Sequence, residues 1–192
     1  MSIRQDKAIL SRFYARSLYT VLVFIFVLTG LSNEVIAQDA GKVFTLYLIR
    51  HAEKELSADD PKNPPLTDCG SKRAESLAGF FSSVELEAVY SSDYLRTKNT
   101  AGPVSRSKGL ELQIYDPGKL DDLVQVLMEQ KQDALVVGHS NSTPNLAGLI
   151  LGQELESIDE SLHDRVYQIV ICGEQAQLHL LHSTFVCSLA EE

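Results

Sequence analysis

The sequence predicts an α/β fold, a three-layer sandwich in which helices flank a mainly parallel central sheet. From residue 43 onward, apolar β-rich runs and amphipathic stretches alternate four times, the pattern of strands joined by crossover helices. With 44% hydrophobic and 22% charged residues, the composition is that of a globular chain and not of a disordered one. A length of 192 residues fits one ordinary domain after a short leader.

The leader is predicted from the first 37 residues, which read as a secretory signal. Four basic residues open the chain, a charge-free apolar run covers residues 18–31, and Val35-Ile36-Ala37 follows as a cleavage site. The run is shorter than the ~20 apolar residues that span a bilayer, although an uncleaved anchor is the alternative interpretation. We therefore expect a signal peptide at 1–37 and a periplasmic domain at 38–192, without a stable membrane anchor once the signal is cleaved.

The elements of this domain follow in order along the chain. Residues 43–49 are apolar and partly β-branched, which favours a buried strand. A proline-rich loop at 55–67 precedes a helix that Thr67 or Asp68 caps and that runs to about residue 82. Further strands are expected at 86–90, 110–115 and 134–137, and further helices at 93–108 (kinked at Pro103), 120–131 and 143–151. Gly173-Glu174 joins two last strands, 166–171 and 177–181, into a hairpin.

Polar side chains gather where the predicted strands end. In an open α/β sheet, ligands bind beyond the carboxyl ends of the parallel strands. The segments that follow the four strands are Arg50-His51-Ala52-Glu53, Ser91–Arg96, Asp116-Pro117-Gly118 and Gly138-His139-Ser140-Asn141. Two histidines, two arginines and a carboxyl group should therefore share one edge of the sheet. A single histidine after a strand is ordinarily structural, but this combination suits phosphoryl transfer.

Each of these residues has a role in that chemistry. His51 can attack phosphorus with a neutral imidazole nitrogen. Arg50 and Arg96 can grip phosphate oxygens, and Arg96 lies in the first turn of a helix, where an anion is favoured. His139 can donate a hydrogen bond to the transferring group. Asp116 can protonate the leaving oxygen.

Two assignments have structural alternatives. Asp116 precedes Pro117-Gly118, a sequence that favours a turn. Asn141 can bind substrate, cap the next helix, or do both.

The motifs around these residues resemble those of the histidine phosphatases, the phosphoglycerate mutase-like superfamily. The matching segments are Leu48–Glu53 (its Arg-His-Gly motif), Leu66-Thr67 with Gly70 and Ala74, Val89–Thr97 with Thr100-Ala101, and Val137–Asn141. The resemblance, to a small exported bacterial-type member, implies that His51 becomes phosphorylated while Arg50, Arg96 and His139 complete the pocket, without metal or organic cofactor. Ala52 departs from the usual glycine, and Asp116 stands where many relatives carry a glutamate.

The expected partner is a small anionic phosphorylated substrate or a phosphorylated envelope component. The net charge of −9 disfavours nucleic acid. Two alternatives to a phosphatase are a phosphomutase, which needs a lid that excludes water, and a non-catalytic binder, which needs no nucleophile. The sequence leaves little room for a lid, and both histidines are intact.

Cysteines and the remaining histidines predict no metal site. Cys69, Cys172 and Cys187 lack metal-ligand spacing and are expected as plain thiols; if two of them pair, Cys172 with Cys187 is favoured, because their segments are neighbours in sequence. His163, His179 and His182 have no matching partners nearby, and His179 and His182 should face opposite sides of a strand.

Overall fold

A six-stranded sheet with helices on both faces forms the body of the protein in a computed structural model, which describes residues 41–187. The elements are β1 (Val43–Arg50), α1 (Asp68–Phe80), β2 (Ala88–Ser92), α2 (Leu95–Lys108), β3 (Leu112–Tyr115), α3 (Leu120–Gln130), β4 (Ala134–Gly138), α4 (Ser142–Leu151), β5 (Arg165–Cys172) and β6 (Gln175–His182). The predicted signal peptide lies outside the described residues. Within them, no helix has the length and apolar character needed to cross a bilayer.

The strand order confirms the predicted fold class. The strands lie in the order β3-β2-β4-β1-β5-β6, with β1 to β4 parallel and β5 and β6 antiparallel to their neighbours. The predicted hairpin is also present, and its turn uses Gly173 at a φ of +60°, a conformation that favours glycine. Because β5 runs against β1, the loop that precedes β5 arrives at the edge where the parallel strands end.

Both faces of β1 are buried, which explains its continuous apolar sequence. Phe44, Leu46 and Leu48 face a core closed by α3 and α4. Tyr47 and Ile49 face a second core, closed by α1 and α2. Since each large apolar side chain buried this way contributes roughly 1.5–3 kcal/mol, β1 is held firmly at the centre of the sheet.

Two strands begin two residues later than the sequence predicts. Leu86 and Leu110 were expected inside strands, but both lie in the connections before β2 and β3. The Leu110 N–H donates to the carbonyl of Ser105 as α2 ends, and both leucines pack against the second core. Their apolar character reflects burial and not strand pairing. Pro103 lies inside α2, which continues to Lys108.

The structure contradicts both expectations for the cysteines, namely that all three are plain thiols and that Cys172 and Cys187 are the favoured pair. Cys69 at the start of α1 forms a disulfide with Cys187, with 5.8 Å between the two Cα atoms. Cys172 is exposed and free. Cys172 ends β5 at the hairpin turn, whereas Cys187 follows the far end of β6. The strand between these points is eight residues long, about 25 Å at ~3.3 Å per residue, so neighbours in sequence are distant in space.

The segment after β6 is tied to α1 and to the loop after β1. Arg73 of α1 donates to the carbonyl of Phe185 (3.0 Å), and its guanidinium lies 5.0 Å from the centre of the Phe185 ring. The same guanidinium is paired with the carboxylate of Glu53, with 2.6 Å between Nη2 and Oε1. Glu53 thus faces Arg73, and the disulfide closes beside this pair.

Candidate active site

The register of the central strands brings the two motif histidines together. Arg50 at the end of β1 is paired with Gly138 at the end of β4. The next residues, His51 and His139, therefore leave the sheet side by side, and the His51 N–H donates to the carbonyl of Gly138 (2.9 Å). Their ring centroids lie 5.5 Å apart, edge to face.

His51 is held as a neutral imidazole with one free nitrogen. It is only 3% exposed, and its Nδ1 lies 2.7 Å from the carbonyl oxygen of Ala52. Because a carbonyl oxygen only accepts, Nδ1 carries the proton and Nε2 keeps its lone pair. Burial, and then the positive charges of Arg50 and other neighbours, lowers the pKa of His51 to about 3. The side chain is therefore uncharged at neutral pH and can act as a nucleophile.

His139 lies in a chain of hydrogen bonds. Its Nε2 is 2.9 Å from the hydroxyl of Ser92, which in turn donates to Thr97. Its Nδ1 is 3.4 Å from Nη2 of Arg96. Burial first, and then the charges of Arg96 and Lys54, lowers the pKa of His139 to about 4. A bound anion would favour a proton on Nδ1, and only then could this nitrogen donate to phosphate as predicted.

Arg50 is largely occupied by the protein itself. The residue is 4% exposed, and its Nη1 donates to three backbone carbonyls, those of Asp159 (3.0 Å), Glu160 (2.8 Å) and Leu162 (3.1 Å). Its Nη2 donates to the Glu160 carboxylate (2.6 Å). Most of the guanidinium donors that Arg50 was predicted to offer to phosphate are therefore already bonded to the loop before β5.

Arg96 approaches the site from the first turn of α2. Its Nη1 donates to the carbonyl of Lys62 (3.2 Å), and its guanidinium lies 4.4 Å from the centre of the Tyr94 ring. Tyr94 also packs edge-on against His139, with 5.1 Å between ring centroids. Arg96 is thus fixed by stacking and by the loop before α1, with one face toward His139.

Both arginines keep a buried donor without a partner. Among the described residues, three buried side-chain polar atoms lack a hydrogen-bond partner: Arg50 Nε, Arg96 Nε and Ser183 Oγ. An unsatisfied buried donor costs about 1–3 kcal/mol, more for a charged group. The positive charges of the two guanidinium groups near His51 favour a bound anion. The site is therefore built for an anion beside the free Nε2 of His51.

Two other predicted site residues lie apart from this cluster. Asp116 is exposed, and its carboxylate accepts from the N–H of Gly118 (2.9 Å) in the turn after β3. Asn141 is exposed at the N-cap of α4, where its side chain accepts from the N–H of Ser142 (2.8 Å). Each adopts the structural alternative that its sequence allowed, and neither side chain is hydrogen-bonded to the two histidines or the two arginines among the described residues.

The loop before β5 supplies two residues that the sequence did not single out. Glu160 pairs with Arg50, and its other carboxylate oxygen accepts from the hydroxyl of Ser140. His163, for which no partner of matching type was expected, donates from Nδ1 to the carbonyl of His51 (3.1 Å). No motif marks this loop. The available signal was topological, because a strand placed antiparallel to β1 must start at the active edge.

Comparison with known proteins agrees with this geometry. Residues 46–117 match the family model of the histidine phosphatase superfamily (branch 1). An alignment of 82 residues with the fructose-2,6-bisphosphatase TIGAR of Xenopus laevis is 34% identical and covers 38% of this chain. It covers 30% of that protein, so the match spans under a third of the relative's length.

Solved structures share the fold at low identity. The protein histidine phosphatase SixA complexed with tungstate superposes with a TM-score of 0.60 at 18% identity, over 72% of this chain and 97% of that one. The α-ribazole phosphatase of Shigella flexneri gives 0.62 at 19% identity, over 73% and 96%. The family model and the curated relative each match part of the chain, and the solved structures show that the fold is shared.

Proposed function

We propose that this protein is a phosphatase that passes the phosphoryl group of its substrate to Nε2 of His51 and then to water. The observation that carries the proposal is the buried, uncharged His51 whose Nδ1–H is held by Ala52, beside two arginines with unpartnered buried Nε donors. The phosphatase activity of the similar proteins supports the reaction class. A small phosphomonoester or a phosphorylated envelope component is the proposed substrate.

The reaction follows from the positions of these groups. The lone pair of Nε2 attacks phosphorus, the bond to the ester oxygen breaks, and its electron pair leaves with the alcohol oxygen. Arg96 holds equatorial oxygens, and the buried positive charge of Arg50 helps to stabilise the negative charge that develops on them. Water then attacks the phosphoramidate, which releases inorganic phosphate and restores His51. Since the Ala52 carbonyl fixes the ring, both displacements use the same nitrogen.

Trapping the covalent intermediate tests the mechanism. A phosphoramidate survives alkali and breaks in acid, so quenching turnover of a labelled aryl phosphate into alkali should leave label on His51. His51→Ala should lose both the label and the activity. His139→Ala should slow the transfer by ~10²-fold or more while the nucleophile remains. Wild-type protein that turns over no aryl phosphate would show a binder instead of an enzyme.

The stereochemistry at phosphorus provides an independent measurement. Two successive displacements retain the configuration of a chiral phosphate ester, whereas direct attack by water inverts it. We expect retention. Inversion without a trapped phosphohistidine would reject the covalent route even if the protein proves to be a phosphatase.

We also propose that the protein is exported to the periplasm and cleaved after Ala37. The basic start, apolar run and small residues before Gln38 support this proposal. The Cys69–Cys187 disulfide is consistent with it, because such bonds persist in oxidising compartments. N-terminal sequencing of protein from a periplasmic extract should begin at Gln38. A soluble cytoplasmic product that still begins at Met1 would contradict export.

A further inference from the structure

The proposed phosphatase reaction leaves the leaving oxygen without a proton donor. Asp116, the predicted donor, caps its own turn at the exposed end of β3. Among the described residues, Glu160 is the one whose carboxylate hydrogen-bonds to any of His51, His139, Arg50 and Arg96. Its side chain is 66% exposed, so it stands at the rim, open to an incoming substrate, while Arg50 beneath it is buried.

We propose that Glu160 is the acid that protonates the leaving group, and the base that later activates water. This assignment rests on the proposed phosphatase function. Two contacts aim the carboxylate: Oε2 meets Nη2 of Arg50, and Oε1 meets the hydroxyl of Ser140, directly after His139. The N–H of Ile158 donates to the carbonyl of Ser140 (2.8 Å), which fixes the loop to the same motif. Glu160 is therefore held by one residue of each histidine motif, Arg50 beside His51 and Ser140 beside His139.

The proton balance of the two steps is complete. In the first step, the P–O ester bond breaks as the bond from Nε2 of His51 to phosphorus forms, and the leaving oxygen takes the proton of the Glu160 carboxyl group. In the second, the Glu160 carboxylate takes a proton from water as the water oxygen bonds to phosphorus and the P–N bond breaks. His51 and the protonated carboxyl group are then restored, and no other reactant is needed.

The charges around Glu160 allow it to change protonation state with substrate. The groups that face it are Arg50, Lys54 and His163, together with Arg96 and His139, while the carboxylate of neighbouring Asp159 is turned to Ser161. In the free protein, the Ser140 hydroxyl and then the charges of Arg50, Lys54 and His163 hold the pKa of Glu160 below its ordinary value. A phosphate dianion bound among these cations opposes them and raises that pKa, which increases the protonated fraction of Glu160 when substrate is bound.

Substrates with different leaving groups separate an acid from a structural residue. A dinitrophenolate departs without a proton, whereas the alkoxide of glycerol 2-phosphate needs one. For Glu160→Gln, we expect kcat/KM for glycerol 2-phosphate to fall by ~10²-fold or more, and kcat/KM for 2,4-dinitrophenyl phosphate by less than ~3-fold. Glu156→Gln, an exposed residue of the same loop, is the matched control and should leave both values unchanged.

Each outcome decides the proposal. If Glu160 only supports Arg50, both substrates should lose activity equally, and this result would overturn the assignment. An unchanged rate for glycerol 2-phosphate would overturn it as well. If the wild-type protein hydrolyses neither ester, the proposed function itself fails; if the wild type hydrolyses both and the variant shows no selectivity, only the role of Glu160 fails. A plot of the logarithm of kcat/KM against leaving-group pKa should have a steeper slope for Glu160→Gln than for the wild type. An unaltered slope would reject Glu160 as the acid.

Discussion

The two arginines of the site bind the surrounding protein in different ways. Arg50 is enclosed by carbonyls and by Glu160, whereas Arg96 is held by stacking on Tyr94 and one carbonyl. What they share is an Nε donor without a partner. Arg50 is therefore the more enclosed of the two guanidinium groups, and Arg96 is the more exposed one.

Replacing Arg96 by lysine tests how much the contacts of its guanidinium group contribute. Arg96→Lys keeps the charge but loses Nε, the contact to Nδ1 of His139 and the planar stack on Tyr94. We expect kcat/KM to fall at least ~10-fold, about 1.4 kcal/mol of transition-state binding, with a thermal transition close to that of the wild type. Wild-type kinetics in this variant would show that Arg96 does not contribute to the pocket. A much lower melting temperature would show that its role is structural.

The sequence predicted the residues that follow parallel strands and missed those of the loop before β5. Arg50, His51, Arg96 and His139 come together because strand ends define the active edge, a rule that needs only strand assignments. Glu160 is brought there by the return of the chain over the end of β1. That return depends on which strand β5 joins, and local sequence pattern does not specify it.

The start of α1 is fitted closely to the loop after β1. Thr67 caps the helix by accepting from the N–H of Gly70 (3.0 Å), and its own N–H donates to the carbonyl of Glu53 (2.9 Å). A Cβ atom on Gly70 would collide with that carbonyl oxygen. The glycine thus permits the helix to approach the segment that carries His51.

Two glycines of α1 form a matched pair for testing this contact. Gly70→Ala should destabilise the protein by about 1–3 kcal/mol, because the added methyl group meets backbone that cannot move freely. Gly79→Ala, with nothing within 4 Å of the added methyl group, should be neutral or stabilising by up to ~1 kcal/mol through helix propensity. Urea unfolding of both variants measures the difference. Equal effects at the two positions would refute the close fit.

Element boundaries were predictable where a chemical signal marks them. Thr67 begins α1 as a cap, and Gly173 turns the hairpin at positive φ. Leu86 and Leu110 misled the prediction because a buried connection has the same apolar composition as a buried strand. Tertiary packing, and not local preference, decides where β2 and β3 begin.

For the whole molecule, the disulfide is a covalent link between two residues of the described chain that lie 118 positions apart in sequence. Closing so long a loop should stabilise the fold by about 2–4 kcal/mol. Cys187→Ser should lower the free energy of unfolding by this amount and remove its sensitivity to reductant. Cys172→Ser, which changes an exposed free thiol, is the control and should leave both unchanged. Stability of the wild type that is the same with and without reductant would contradict the bond.

The same bond closes residues 69–187 into a covalent ring, and the segment that contains β1 lies before this ring in the chain. The ring, residues 69–187, contains every described helix but the first residue of α1, together with five of the six strands. β1, the strand that leads directly to His51, lies outside the ring and yet sits between β4 and β5 within its sheet. A proteolytic nick beside Leu56, which is 83% exposed, would therefore leave a peptide that carries β1 and His51 bound to the ring by non-covalent contacts alone. Denaturant would release that peptide, whereas a nick inside the ring would release nothing until the disulfide was reduced. One cut in this loop would therefore turn the described domain into two pieces that separate when it unfolds.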